Sequence, residues 1–170
     1  CENRGEINAT QTESVGGIMG CSDKSISFSG CKNFANVTGL NYVGGIAGST
    51  AGTFTGCENS GKITGQNGEG NAAVGGIVGK VGGADITVSG CKNSGQVTAP
   101  QKDHVVNFAG GLVGFAHTDD GRLYNLTFEN CETTNSEITG SNGYFGGVIG
   151  GVWYVESCNH SNHTGAHGYK

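Results

Sequence analysis

The sequence predicts an all-β chain that folds as a parallel β-helix of about five coils, with three short strands in each coil. The first observation is a recurring phrase, Val-Gly-Gly-Ile-x-Gly, followed after a turn by a short β-rich run that ends in Gly-Cys. Exact and looser copies of this phrase lie at residues 15–31, 43–57, 74–91, 109–131 and 145–158. Such internal repetition predicts a stack of similar units.

The second observation is the composition, which includes 34 glycines and a single proline among 170 residues. Glycine destabilises a helix interior by about 1 kcal/mol relative to alanine. The glycines do not follow the three-residue period of collagen. The run before each Gly-Cys alternates apolar and polar residues, as in Thr53-Phe54-Thr55, which is the pattern of a half-buried strand.

The repeat also predicts the domain organisation. In each coil, strands are expected near residues 63–64 or their equivalents, in the Val-Gly-Gly-Ile-x-Gly phrase and in the run before Gly-Cys. The predicted coils span about 1–30, 31–56, 57–90, 91–130 and 131–157, and residues 158–170 are expected to form a cap or tail. Because Cys1 already lies inside a repeat, we expect the sequence to be part of a longer chain.

Six of the seven cysteines occupy one equivalent position in the repeat. They are Cys1, Cys31, Cys57, Cys91, Cys131 and Cys158. In a parallel stack, equivalent β-carbons would lie about 4.8 Å apart, farther than disulfides usually span. The spacing therefore favours a column of buried thiols that pack as small apolar side chains. Cys21 lies outside this column and is expected to be free or exposed.

The residues after each column cysteine predict further stacking. Asn3, Asn33, Asn59 and Asn93 are expected to hydrogen-bond to one another along the stack. The residue directly after each of the first five column cysteines alternates in charge. These residues are Glu2, Lys32, Glu58, Lys92 and Glu132; the last is followed by Thr133, where the others are followed by asparagine. The glycines at positions 5, 61 and 95, with Asn135, are expected to adopt a left-handed turn conformation.

The Val-Gly-Gly-Ile-x-Gly strand leaves two interpretations open, because residues of both parities are apolar, as in Ile46 and Ala47. Either a glycine bulge turns both columns inward, or one column forms an exposed apolar face that binds a partner.

Charge and hydropathy exclude two classes of partner. The net charge is −5, from 9 basic and 14 acidic residues, and no basic run is present. A nucleic-acid partner is therefore not expected. No apolar run of about 20 residues occurs, so membrane insertion is not expected either.

The Val-Gly-Gly-Ile-x-Gly and Gly-Cys-x-Asn-x-Gly phrases resemble GLUG-motif repeats, and the segment Ala109–Gly114 (AGGLVG) is the nearest copy. Those repeats occur in bacterial surface proteins, including adhesin-like proteins and non-catalytic regions of some immunoglobulin A peptidases. The resemblance covers nearly the whole chain. It implies an extracellular, right-handed β-solenoid that acts as a stalk or adhesive module, and it carries no catalytic residues to transfer.

Candidate site residues lie where extra length interrupts the repeat. The loops are predicted to bind a partner through Lys102, His104, His117, Asp119, Asp120 and Arg122. Trp153 and Tyr154 are candidate surfaces for stacking against glycans. Asp119 and Asp120 could serve glycan cleavage, but no second acid lies one coil away, so a polar turn is favoured and no catalytic residue is predicted. His160, His163 and His167 with Cys158 could bind a metal ion, but a solvated tail is favoured, so no metal site or cofactor is predicted.

These observations predict a structural and adhesive extracellular module, either a rigid spacer or a subunit of a self-assembling surface fibre. The expected partners are copies of the chain or neighbouring surface-protein domains, with host or environmental glycans as further candidates. The alternative is a carbohydrate-binding or carbohydrate-cleaving β-helix.

Overall fold

The computed structural model describes residues 1–66, 68, 70–101, 106–117, 124–134 and 137–153, together with the backbone of 155–161 and 164–165. The described residues form 24 strands in four sheets that run along a stack of coils, and every strand pair given by the register is parallel. The predicted parallel β-helix is confirmed. Each coil contributes strands to four sheets, however, whereas the sequence predicted three strands in each coil.

Sheets one and two contain very short strands. Sheet one contains β1 (Glu2–Asn3), β5 (Lys32–Asn33), β9 (Glu58–Asn59), β14 (Lys92–Asn93), β19 (Glu132–Thr133) and β24 (Thr164–Gly165). Sheet two contains β2 (Ile7–Asn8), β6 (Val37–Gly39), β10 (Ile63–Gly65), β15 (Val97–Thr98) and β20 (Ile138–Thr139).

Sheets three and four hold the two halves of the repeated phrase. Sheet three contains β3 (Ser14–Gly16), β7 (Tyr42–Gly44), β11 (Ala73–Gly75), β16 (Asn107–Gly110) and β21 (Gly143–Gly146). Sheet four contains β4 (Met19–Ser29), β8 (Ala47–Thr55), β12 (Val78–Val81), β13 (Ile86–Ser89), β17 (Val113–Ala116), β18 (Tyr124–Glu129), β22 (Ile149–Val152) and β23 (Val155–Ser161).

The extra sheet arises because the Val-Gly-Gly-Ile phrase turns a corner at its glycines. In coil two, β7 ends at Gly44 and β8 begins at Ala47. A Cβ atom on Gly45 would lie 2.6 Å from Cγ of Asn59 and would overlap a carbonyl oxygen of the next coil. Only glycine fits this corner, so the phrase divides between two sheets.

The corner also explains why both parities of the phrase are apolar. Ile46 and Ala47 both point into the interior, as do their counterparts in the next two coils, and all of these side chains are fully buried. The interpretation with both columns inward is confirmed. The alternative interpretation, an exposed apolar face at this phrase that binds a partner, is wrong.

The interior is divided into two hydrophobic cores. The larger core lies against sheet four and includes Ile46, Phe54 and Leu112. The smaller core lies between sheets two and three and includes Val43 and Ile63. Between them, the asparagine column of sheet one meets the second glycine of each corner. We call this line of contact the waist; its pairs are Gly17 with Asn33, Gly45 with Asn59 and Gly76 with Asn93.

The asparagine column is confirmed. The Nδ2 atom of Asn33 donates to Oδ1 of Asn59 at 2.7 Å, and Nδ2 of Asn59 donates to Oδ1 of Asn93 at 2.8 Å. Each of these amides also donates to a backbone carbonyl two residues later, as from Asn59 to Gly61 at 2.9 Å. A buried amide that bonds in both directions avoids the cost of an unpaired polar group.

The left-handed turn lies elsewhere than predicted. Positive φ angles occur at the residue before each column cysteine: Gly30 (59°), Gly56 (59°), Gly90 (61°) and Asn130 (51°). Gly61 and Gly95 do not have positive φ; they are constrained by space, because a Cβ atom on either would overlap a carbonyl of the preceding coil. Asn135 lies outside the described residues.

The fifth coil is longer than predicted. Strand β23 runs across the expected boundary at 157–158 and pairs with β18, and β24 pairs with β19 of sheet one. In this register Cys158 lies beside Leu126, whereas a residue in the cysteine column would lie one position before β24. The assignment of Cys158 to the column is therefore wrong.

Candidate binding surface

The candidate site is a group of aromatic side chains on the outer side of the corner between sheets three and four. In sheet three the inward residues are Val43, Val74 and Ala109. The residues just before them alternate to the outside, and the register aligns them as Ser14, Tyr42, Ala73, Phe108 and Tyr144. In sheet four, Lys80 and Phe115 are aligned in an equivalent outward column.

The two outward columns meet and form a third, separate apolar cluster. The rings of Phe108 and Phe115 stack with centroids 4.1 Å apart and planes inclined by 16°. Both phenylalanines are nearly inaccessible, at 2% and 7% exposure, although they point away from the two interior cores. The cluster is therefore an aromatic floor built on the outside of the solenoid.

Coil five places two exposed rings over this floor. Tyr144 is 59% exposed and stacks on Phe108 at 5.6 Å, while Trp153 is 50% exposed and meets Phe108 edge-on at 5.9 Å. A side-chain Cβ at Gly151 would lie 2.5 Å from the Phe108 ring, so the glycine lets the ring lie flat against the strand. We call Tyr42, Phe108, Phe115, His117, Tyr144 and Trp153 the aromatic surface.

Polar groups border the aromatic surface. His117 stacks on Phe115 at 5.4 Å and meets Trp153 edge-on at 5.8 Å. The ammonium of Lys80 lies 5.3 Å from the centre of the Tyr42 ring, within the range of a cation–π contact. A depression of about 160 Å³ lies among these side chains and is also lined by Asn71. The surface thus combines flat apolar rings with hydrogen-bond donors at its edge.

The structure brings together two of the predicted site residues, His117 and Trp153, which were assigned to different roles. The others, Lys102, His104, Asp119, Asp120, Arg122 and Tyr154, lie outside the described residues. Sequence reasoning missed Tyr42, Phe108, Phe115 and Tyr144. The available signal was the position immediately before the inward residue of the Val-Gly-Gly phrase, where alternation predicts an outward side chain.

A larger open groove of about 760 Å³ lies near the turns between sheets two and three. Its described lining includes Thr10, Gln11, Gln66 and Pro100, and no aromatic side chain is among the described residues there. Gln101 lies at its edge, next to the loop that contains Lys102 and His104. The part of the groove that the structure describes is therefore lined by polar groups and small apolar side chains.

The cysteine column is the other chemically distinctive group. The described cysteines are free thiols; Cys31, Cys57, Cys91 and Cys131 are buried, while Cys1, at the end of the stack, is exposed. Cys21 lies beside Ser49 in sheet four and is exposed, as predicted. The thiols of Cys57, Cys91 and Cys131 each donate to a backbone carbonyl of sheet four, as from Cys131 to Val88 at 3.2 Å.

Neighbouring thiols affect one another's protonation. The hydrogen bond between Cys57 and Cys91 lowers the pKa of Cys57 to about 7 and raises the pKa of Cys91, which burial raises further. Burial is the largest cause of the raised pKa of Cys131. Sealed inside the larger core, these thiols are packing groups, in keeping with the expectation for the column.

Among the described residues, no group of three histidine, cysteine, aspartate or glutamate side chains is placed to hold a metal ion. No helix in the described part of the chain is long and apolar enough to cross a membrane.

No protein-family model and no curated protein matches the chain. Among solved structures, the chain is similar to a Bacteroides ovatus protein that is provisionally assigned as an immunoglobulin A1 protease. The TM-score is 0.71 and the sequence identity is 19%, over 92% of this chain and 48% of the other. The chain therefore spans about half the length of that protein, and at this identity the likeness shows the fold alone: a parallel β-solenoid.

Proposed function

We propose that this chain is a rigid structural spacer of an extracellular surface protein and that it also binds a partner through the aromatic surface. The spacer role is supported by the solenoid fold, by the continuous asparagine column and by the two cores that run along the stack. We include membership of the GLUG-type repeats in this proposal, with the repeated phrase and the solenoid fold as its support.

The observation that carries the adhesive role is the aromatic surface. The rings of Phe108 and Phe115 are buried, whereas Tyr144 and Trp153 keep about half or more of their area exposed to water. Exposed apolar patches of this kind mark interaction sites in soluble proteins. Rigid rings supply contact area at a low cost in side-chain entropy, which makes them effective anchors.

The spacer role can be tested by small-angle scattering and sedimentation of the full chain. Five coils at about 4.8 Å each make a stack about 24 Å long, so a monomer should scatter as one compact body without internal flexibility. A subunit that stacks on copies of itself would play the same structural role, and it would appear as concentration-dependent rods. Scattering typical of a flexible or partly unfolded chain would contradict both forms of the proposal.

A second candidate function, carbohydrate binding, is favoured by the chemistry of the same surface. Sugar rings present apolar C–H faces that pack on aromatic rings, and their hydroxyl groups bond to polar groups at the rim. Here Trp153 and Tyr144 supply the rings, and His117, Lys80 and Asn71 lie at the edge.

The carbohydrate candidate can be tested on an array of plant, microbial and host glycans. Binding that is lost in Trp153→Ala and Tyr144→Ala would support it. Phe34→Ala is the matched control, because Phe34 is also an exposed aromatic residue, at 41%, but lies next to strand β5 of sheet one, beside Arg4. Equal loss in the control, or no glycan retained by the native chain, would contradict it.

A further inference from the structure

The connections between sheets two and three differ in length from coil to coil. In coil two, only Leu40 and Asn41 join β6 to β7. Residues 9–13 make the same connection in coil one, and residues 66–72 and 99–106 make it in coils three and four. Longer connections on both sides of a short one leave a recess over the short one. Added length on one face of a solenoid often marks its binding face.

The open groove of about 760 Å³ lies in this recess. Its lining comes from four successive coils: Gln11 belongs to coil one, Leu40 to coil two, Gln66 to coil three and Gln101 to coil four. The groove therefore runs along the stack and crosses three coil spacings, about 14 Å in all. Its volume lies in the range of ligand-binding sites.

The backbone around the groove is held in place by packing and hydrogen bonds. Pro100 lies over Gly65, where a Cβ atom would come within 3.2 Å of the proline Cδ. Nδ2 of the buried Asn107 donates to the carbonyl of Pro100 at 3.2 Å. The N–H of Gln66 donates to the carbonyl of Gly39 at 2.8 Å. A site whose backbone is fixed in advance loses less conformational freedom when a ligand binds.

The polar side chains of the groove are amides and hydroxyls. Three of the four glutamines in the sequence, Gln11, Gln66 and Gln101, line it, and all three are exposed. Thr10 and Thr98 add hydroxyl groups. None of the described lining residues is charged. Amides and hydroxyls both donate and accept hydrogen bonds, so this lining matches an uncharged ligand that is rich in hydroxyl groups.

We propose that this groove binds a segment of a neutral polysaccharide chain. Gln66 and Gln101 hydrogen-bond to sugar hydroxyls, while Leu40 and Pro100 offer apolar surface to the C–H faces of the sugar rings. An open groove lets a long chain continue beyond the site at both ends. The groove is separate from the aromatic surface, and its assignment stands whatever the aromatic surface binds.

An extended peptide fits the groove less well. Such peptides commonly bind by adding a strand to an unpaired sheet edge. The strands of coils two and three beside the groove, β6 and β10 in sheet two and β7 and β11 in sheet three, each have a paired neighbour on both sides. The groove therefore offers a peptide side chains alone, without a free backbone edge.

The test is affinity electrophoresis of the full chain in gels that contain soluble β-glucan, xylan or galactomannan, with polygalacturonate as the charged comparison. At least one neutral polysaccharide should retard the native chain. Gln66→Ala and Gln101→Ala should each weaken the affinity by about fivefold, the effect of losing one hydrogen bond. Gln96→Ala is the matched control, because Gln96 lies outside the groove and its amide donates to Glu137 at 2.6 Å. This control should bind as tightly as the native chain.

Both groove glutamines are exposed, so the urea midpoints of their variants should stay at the native value. The proposal is overturned if no neutral polysaccharide retards the native chain, if polygalacturonate alone does, or if both glutamine variants bind like the native chain. Retardation that is lost in Trp153→Ala but kept in the glutamine variants would assign the sugar to the aromatic surface and overturn the groove. Failure here and failure of the proposed function are therefore distinguishable.

Discussion

The waist and the aromatic surface are both built from columns of stacked side chains, but they follow opposite rules. At the waist, the same residue type recurs from Asn3 to Asn93, and each member bonds to the next. On the aromatic surface, the aligned residues change in every coil, from Ser14 through Tyr42 and Ala73 to Phe108 and Tyr144.

This difference separates the part of the sequence that holds the stack together from the part that is free to vary. Asn33 and Asn59 each bond to an asparagine on both sides, so replacing one of them leaves a buried amide group unpaired. An outward column meets solvent or a partner, and its residues can differ in each coil. The irregular column is therefore the better place to look for function.

The sharpest test of the waist is Gly45→Ala. A Cβ atom there would lie 2.6 Å from Asn59 Cγ and would overlap the backbone of the next coil. We expect the free energy of unfolding in urea to fall by about 4 kcal/mol or more, in the range of severe core disruptions. The control is Gly5→Ala, where the nearest atom is 3.9 Å away. A similar loss in both variants would show that the waist is not tightly packed.

Asn59→Ala should have the next largest effect. Asn59 accepts from Asn33 and donates to Asn93 and Gly61, and all of these bonds are buried. Their loss should lower the free energy of unfolding by about 2–4 kcal/mol, because buried partners are left unpaired. Asn3→Ala, at the end of the column, should cost about 1 kcal/mol. If the two variants unfold at the same urea concentration, the column does not stabilise the fold as argued.

The pH dependence of stability tests the burial of the thiol column. The raised pKa of Cys131 keeps its thiol protonated in the folded state while unfolded thiols ionise. The contribution of Cys131 to the free energy of unfolding is therefore complete below the unfolded pKa of about 8.5. It is lost as pH rises toward the folded pKa, by up to about 1.4 kcal/mol per pH unit.

Urea unfolding between pH 7 and 10 should show this decline, and Cys131→Ala should flatten it. An unchanged slope in the variant would mean that Cys131 ionises normally. Cys131 is the clearer choice because the pKa shifts of Cys57 and Cys91 have opposite directions.

The smallest effect is expected at the exposed charges of sheet one. Lys92→Gln removes the 3.1 Å contact with Glu132 and should lower the free energy of unfolding by less than about 1 kcal/mol, because water and salt screen exposed pairs. The difference from the native protein should shrink further in 1 M salt. A loss of unfolding free energy comparable with that of Asn59→Ala would show that exposed ion pairs contribute substantially to the stability of the stack.

Much of the stack could be predicted from the sequence, because inward positions recur at a recognisable phrase. The asparagine column and the thiols from Cys31 to Cys131 follow from that recurrence. The four-sheet cross-section was missed because a pattern of apolar residues does not show that Gly45 turns a corner. Cys158 was assigned to the column by its residue type, although Ser157 replaces the positive-φ glycine or asparagine that precedes the column cysteines.

The candidate site was less predictable for a physical reason. His117 and Trp153 were chosen one by one as unusual residues, but their contact with each other depends on coil stacking across 36 positions of sequence. Phe108 and Phe115 resemble core residues in composition. Only the corner geometry shows that their buried rings lie outside both cores.

The most direct test of the separation between stack and surface is to compare the stability of Asn59→Ala with that of the double variant Tyr144→Ser and Trp153→Ser. The comparison requires urea unfolding of both proteins under one set of conditions. Because both rings are about half exposed or more, we predict that the double variant loses less than about 1.5 kcal/mol, clearly less than Asn59→Ala. An equal or larger loss in the double variant would contradict the account, since the aromatic surface would then be part of what holds the fold together.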